Sequence, residues 1–309
     1  MIKLEQPHEV NFGQTYSMLI YGEPGIGKTT TALSAPKPLL FDFENGMKRV
    51  APQFWCTRLQ VKNIDDMYEV LDDAETMSQF ETIVIDPMSA LIDVLIEDVA
   101  KKQPNLRKGA NLTIQGFGAV KAAFNTLWKR VQAVNKNIIL VAHEKSEKLG
   151  EVNYMTPDTG AGSSGRELIK NLDIIGRVTH LNGKRAIFFD TDNSEFYSKN
   201  PFEFPRHVIL PAPGAKNTFI IDTIEPAIDK HFQRMKQVRI DFQQLESNIT
   251  ALLDDIHDEE TCNLAYQNLK AEYNNRAFMW KTKLAQIVKN LNLVFNKDSG
   301  VFENAVDNA

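Results

Sequence analysis

The chain has 309 residues, 43% of them hydrophobic and 24% charged, with a formal net charge of −5. That length and composition allow one large or two modest units with a real core, while the acidic balance excludes wholesale electrostatic wrapping of nucleic acid and leaves room for a local basic site. No apolar run is long enough to span a bilayer, Met1–Val10 does not read as a signal peptide, and two distant cysteines, Cys56 and Cys262, exclude a disulfide framework and a cysteine zinc site and suit a reducing cytoplasm.

Short apolar runs bounded by turn residues predict strands at Ser17–Tyr21, Pro38–Phe43, Thr82–Ile85 and Ile138–Ala142. Helical spacing predicts helices over Ile64–Met77 and Phe117–Val134. Strands alternating with helices define an α/β fold with a mostly parallel central sheet. A polar, glycine-rich loop follows at Thr156–Gly165. Asp173–Leu181 and Lys184–Asp190 flank Asn182-Gly183, a strong hairpin signal. Pro201, Pro205, Pro211 and Pro213 mark an irregular stretch, and Thr218–Ile221 is a last strand candidate. Beyond Pro226 the pattern is helical to the end, over Ile228–Leu253 (with a break near Asp241), Glu259–Asn274 and Arg276–Val294. The expected division is therefore a core over residues 1–225 and a helical element over residues 226–309.

Gly22-Glu23-Pro24-Gly25-Ile26-Gly27-Lys28-Thr29 fits G-x-x-x-x-G-K-[ST] in full, after a strand and before a helix. The glycines let backbone N–H groups wrap phosphate, and the helix N-terminus adds its positive end. With Thr30, these residues form the expected nucleotide site for ATP. Lys28, read as a solvated point charge, serves the phosphates, and the Thr29 hydroxyl ligates Mg²⁺. Thr82–Ile85 ends in Asp86, a second magnesium residue at the strand's edge. Leu39–Phe41 leads to Asp42 and Glu44, placing a carboxylate where it orients water at the γ-phosphate. Ile138–Ala142 leads to His143 and Glu144.

The order of these elements resembles the RecA recombinase core. Asp42-Phe43-Glu44 matches that family's strand-two acid motif, so the resemblance makes Glu44 the water-activating glutamate. His143 or Glu144 stands near its γ-phosphate-sensing glutamine. More narrowly, over about residues 10–222, the chain is similar to phage-encoded RecA-like nucleotide-binding proteins linked to single-strand annealing and recombination. The fold class implied is a RecA-like P-loop NTPase core with a C-terminal β-hairpin, followed by a helical tail. The implied activity is ATP hydrolysis by an oligomer, filament or ring, on single-stranded DNA. A single-stranded-DNA-binding protein is a further partner, no membrane is involved, and the host cytoplasm is the location for a phage-encoded chain.

Members of this superfamily commonly reach across to a neighbour's γ-phosphate with a basic side chain. Lys184, Arg185 and Lys199 are the candidates. Residues Asn63–Ala100 carry acids and no Lys or Arg, whereas Lys101–Lys136 carry bases and no acid. Lys101–Gln115 and Glu144–Gly165 fall where the family has its DNA-binding loops, so Lys101, Lys102, Arg107, Lys108, Lys145, Lys148 and Arg166 are the expected DNA contacts. Two other readings stay open: a ring-forming helicase-like motor, and a nucleotide-switched interaction protein without DNA binding. A small-molecule kinase is disfavoured, because no Arg-bearing lid follows the fourth strand run.

Overall fold

The computed structural model of the chain describes residues 15–108, 111–149, 152–160, 169–190, 196–215 and 217–305. They divide into two units, within Gly13–His231 and within Phe232–Ala309.

In the first unit, strand β1 (Ser17–Gly22) feeds the short helix α1 (Lys28–Ala32) and returns through β2 (Pro38–Asp42) and β3 (Thr57–Gln60). Helices α2 (Ile64–Asp72) and α3 (Ala74–Ser78) precede β4 (Thr82–Asp86) and α4 (Met88–Lys102). A two-rung ladder of β5 (Arg107–Lys108) and β6 (Asn111–Leu112) leads into α5 (Ile114–Ala133). Then follow β7 (Asn137–Leu149), β8 (Val152–Asp158), β9 (Ile174–Leu181), β10 (Lys184–Phe188) and β11 (His207–Ile209). The sheet order is β11-β10-β9-β1-β7-β4-β2-β3, with β8 on the far part of β7. Pairs β9/β1, β1/β7, β7/β4, β4/β2 and β2/β3 are parallel, and the β9–β10–β11 edge is antiparallel. This is an α/β P-loop-type fold with a mostly parallel sheet and a C-terminal antiparallel hairpin.

Central position explains the strand sequences. All six residues of β1 are buried, as expected for a parallel strand covered on both faces. Leu19, Phe41, Ile83, Ile85 and Leu140 pack with Met67, Leu91, Phe124 and Leu127 of the covering helices. Each such side chain contributes about 1.5–3 kcal/mol of burial. Asn182 and Gly183 both have positive φ (50° and 77°), the primed turn that the Asn-Gly pair requires between β9 and β10.

Several expectations are corrected. Ile64–Met77 is two helices, because Asp73 turns its carboxylate back to cap Glu75 and Thr76. The loop expected from Thr156 begins with Thr156–Asp158 in a strand: β7 continues to Leu149 and pairs antiparallel with β8, from His143↔Asp158 to Leu149↔Val152. Thr218–Ile221 is no strand: Phe219–Ile221 are helical, with Asn217 Oδ1 accepting Phe219 N–H at 3.1 Å and Ser34 Oγ accepting Ile220 N–H at 3.1 Å. The irregular stretch holds the edge strand β11.

Helix α6 (Glu225–Asp254) runs unbroken through Asp241. The second unit continues with α7 (Glu259–Glu272) and α8 (Ala277–Asn290) around Ile249, Leu253, Leu269, Trp280 and Leu284. It is not helical to the end: β12 (Leu293–Asn296) and β13 (Val301–Asn304) close it as a hairpin, with Phe302 in the core. Among the described residues, no helix is long and apolar enough to cross a membrane.

Candidate functional site

The site lies where β1, β2 and β4 end on the same side, level with His143 in β7. Gly22, the last residue of β1, pairs with His143 on one flank and Val178 on the other. A Cβ at Gly22 would stand 2.3 Å from the Val178 carbonyl oxygen, so only glycine lets the chain leave the sheet here. Gly27 caps α1 in the left-handed region (φ 95°). That conformation turns the loop into the helix, a ready anion site.

Lys28 is not the solvated charge the sequence suggests. It is buried, and its Nζ donates to the carbonyls of Gly22 (3.0 Å) and Glu23 (2.8 Å). Burial lowers its pKa, opposed by the carboxylates of Asp86 and Glu144. Lys28 therefore closes the loop on itself while facing the phosphate position. Pro24, Gly25, Gly27, Thr29 and Thr30 line the cavity above it, while Glu23 and Ile26 contribute main-chain carbonyls to the loop's bracing.

Thr29 Oγ1 donates to Asp86 Oδ2 at 2.5 Å. Burial raises the pKa of Asp86, and Asp42 and Glu44 push the same way, opposed by the Thr29 hydrogen bond and the Lys28 charge. A buried carboxylate with a hydroxyl beside it is a hard-oxygen donor pair that fits Mg²⁺, which binds one or two such side chains together with substrate phosphates. Bound there, the ion would neutralise charge on those phosphates.

The acids after β2 have separate tasks. Asp42 is buried and fully engaged: it accepts Gly46 N–H (2.7 Å), Met47 N–H (3.1 Å) and Arg58 Nη1 (2.8 Å). It builds a turn. Glu44, which that turn presents, lies on the wall of a cavity of about 600 Å³ with Asp86, His143 and Arg49. Its carboxylate faces Arg49 Nη2, at 3.7 Å. His143 Nδ1 is buried without a hydrogen-bond partner. Burial and then the Lys28 charge lower the His143 pKa, keeping the ring neutral near pH 7.

The remaining candidates fall elsewhere. Glu144 is held by Arg177 Nε at 2.9 Å and does not line the cavity, so of the pair it is His143 that faces the phosphate loop. Arg185 does not reach outward: Nη1 donates to Ile26 O at 3.2 Å and Nη2 to Pro211 O. It braces the phosphate loop of its own chain, and its Nη1 lies 2.1 Å from where a Gly27 Cβ would be. Lys199 Nζ donates to Lys170 O (3.3 Å) and Leu172 O, closing a turn before β9. Lys184 is exposed beside the hairpin turn.

The basic run is partly neutralised by the acidic run that precedes it. Lys102 pairs with Asp98 one turn earlier at 2.9 Å. Arg130 pairs with Asp72 of α2 and lies 4.5 Å over the Tyr68 ring. Lys101 sits on the same helix end, in a depression with Asp93, Glu97 and Asp98. Arg107 and Lys108 lie on the β5–β6 ladder. Lys145 and Lys148 lie on the β7–β8 hairpin, Lys145 3.2 Å from Glu147. Arg166 lies outside the described residues. Sequence reasoning missed Arg49, Val50 and Pro87 as cavity residues. The Asp42…Gly46 turn was the available signal for Arg49, since a capped turn fixes the residues that follow it.

A strand-loop-helix phosphate site with a hydroxyl–carboxylate pair facing a third acid defines a P-loop nucleotide-binding protein. The chain belongs to the AAA domain family, whose model matches residues 14–202. It is also similar to the SPbeta prophage-derived uncharacterized protein YorG of Bacillus subtilis (strain 168), at 27% identity over 144 residues. That match covers 43% of this chain and 42% of the Bacillus protein, less than half the length of either.

Proposed function

We propose that the protein hydrolyses Mg·ATP and uses the cycle to bind and release single-stranded DNA as an oligomer, in the annealing or recombination step of a phage. The observation that carries the hydrolysis is the Thr29–Asp86 pair facing Glu44 across one cavity. Phosphates rest on the loop amides and Lys28. Water attacks the γ-phosphorus as the bond to the β–γ bridging oxygen breaks; its electron pair leaves with ADP, and the water proton passes to Glu44. Neutral His143, with an unpartnered Nδ1, is suited to register the γ-phosphate.

The DNA reading is supported by continuity. His143 lies on the strand that runs on into Lys145 and Lys148 and pairs with β8. A shift of His143 toward phosphate would move Lys145 and Lys148 on the same strand, in a hairpin that also carries Glu144, Glu147 and Asp158. The resemblance to phage RecA-like proteins favours the same reading, and the prophage-derived relative fits a phage setting. The exposed Lys184 remains the candidate to reach a neighbouring subunit. Turnover measured with and without single-stranded DNA, followed by imaging of the assembly, tests it: stimulation with filaments supports annealing, while a closed ring that unwinds duplex supports a motor instead.

A second reading, a nucleotide-switched interaction protein, is favoured by the ion pairs that occupy Lys102 and Arg130. Absence of DNA binding at low salt would select it.

A further inference from the structure

The nucleotide cavity contains its own arginine. Lys28 is turned onto loop carbonyls, and Arg185 is spent on Ile26 and Pro211. Of the described residues lining the cavity, Arg49 alone brings a guanidinium. The chain has built a mount for it. Asp42 fixes the Gly46 and Met47 amides, Met47 is buried as an anchor, and Arg49 ends the same turn. The Arg49 side chain lies along Gly46, its Nη2 at ordinary contact distance (3.4 Å) from where a Cβ would stand.

The Arg49–Glu44 approach is long, at 3.7 Å, and the Arg49 side chain is 63% exposed. A pair of that kind contributes little and breaks at little cost. A phosphate offers the guanidinium a better partner, two parallel charge-assisted hydrogen bonds. We infer that Arg49 is a catalytic residue acting in cis: it holds Glu44 in the nucleotide-free cavity, then transfers to the γ-phosphate, stabilising its developing charge and freeing Glu44 to take the water proton. This rests on the hydrolytic reading above. A basic charge at the γ-phosphate, which the resemblance expects from a neighbouring subunit, is thus also supplied from within the chain. The turn itself is held by Asp42, so removal of the Arg49 side chain leaves it in place.

The test compares wild type, Arg49→Ala and Arg49→Lys by competition of ATP and ADP against a fluorescent nucleotide, and by turnover. Arg49→Ala is expected to bind ADP as wild type does, to lose roughly 10–100-fold of its ATP affinity, and to turn over roughly 10²–10³-fold more slowly. Arg49→Lys keeps the charge without the planar fork and is expected to fall between. Mixing Arg49→Ala with Lys28→Ala chains should recover no activity, because neither kind of cavity is complete. Unchanged ATP-over-ADP preference and turnover in Arg49→Ala, or recovery on mixing, would overturn the cis assignment while wild-type hydrolysis upheld the proposed function. A wild type that neither binds nor hydrolyses Mg·ATP would overturn both.

Discussion

Thr29 Oγ1 and Asp86 Oδ2 are 2.5 Å apart although 57 residues separate them in the chain. Strand β7 lies between β1 and β4, so the hydrogen bond depends on the chain after β1 crossing β7 near His143. Asp86 must be ionised to hold magnesium, and its pKa is raised by burial. Magnesium-dependent nucleotide affinity is therefore expected to weaken as pH falls, beginning at a higher pH than for an exposed aspartate. Asp86→Asn should bind nucleotide with a weaker magnesium dependence than wild type. Calorimetric titration of ATP with and without Mg²⁺ at several pH values measures both effects.

Arg185 braces the phosphate loop of its own chain. Arg185→Ala removes donors from Ile26 O and Pro211 O and is expected to cost about 1–3 kcal/mol of stability. Nucleotide affinity should drop with it, equally at all protein concentrations. Denaturant unfolding and binding at two widely separated protein concentrations check this; a defect that appears only on assembly would mean the guanidinium serves a neighbour.

His143 links pH to stability with a definite sign. Its folded pKa lies below the ordinary 6.5. As pH falls past that value the unfolded chain takes up the proton first, so the contribution present above it is lost toward the lower folded pKa. The raised pKa of Asp86 acts in the opposite sense, hence the comparison is with His143→Gln, which keeps Asp86. The variant is expected to lose less stability than wild type between pH 7 and 5 in chemical denaturation.

If the β7–β8 hairpin meets DNA, reversing Lys145 and Lys148 to Glu should weaken single-strand binding irrespective of base sequence. The slope of log K against log salt should also flatten, by about 0.7 for each phosphate left without its lysine. Lys102→Glu is expected to matter less, because Asp98 already holds that charge. Fluorescence anisotropy over a salt series separates the two sets.

The parallel core was legible because its strands are buried on both faces and read as apolar runs, and the phosphate loop because phosphate chemistry dictates its spacing. Edge strands were not: β3 (Thr57–Gln60) has no buried residue, and β11 has none either. The hairpin at β7–β8 was hidden because its far half is charged, Lys145 through Lys148, a pattern that polar loops share. Asp42 and Glu44 read alike in sequence, and hydrogen bonding separates them, one closing a turn and the other facing the cavity. Arg185 and Lys199 were recognisable as basic residues, but their backbone acceptors, 159 and 26 residues from Arg185 and 27 and 29 from Lys199, are set by the tertiary fold.

The most direct measurement is phosphate release by Glu44→Gln at saturating Mg·ATP, with bound nucleotide per chain determined on the same sample. Full occupancy with turnover slowed by roughly 10²–10⁴-fold is the expected result, the scale of a lost general base. Full occupancy with near-normal turnover would contradict the assignment of Glu44, and with it the hydrolytic site built from Thr29, Asp86 and Glu44.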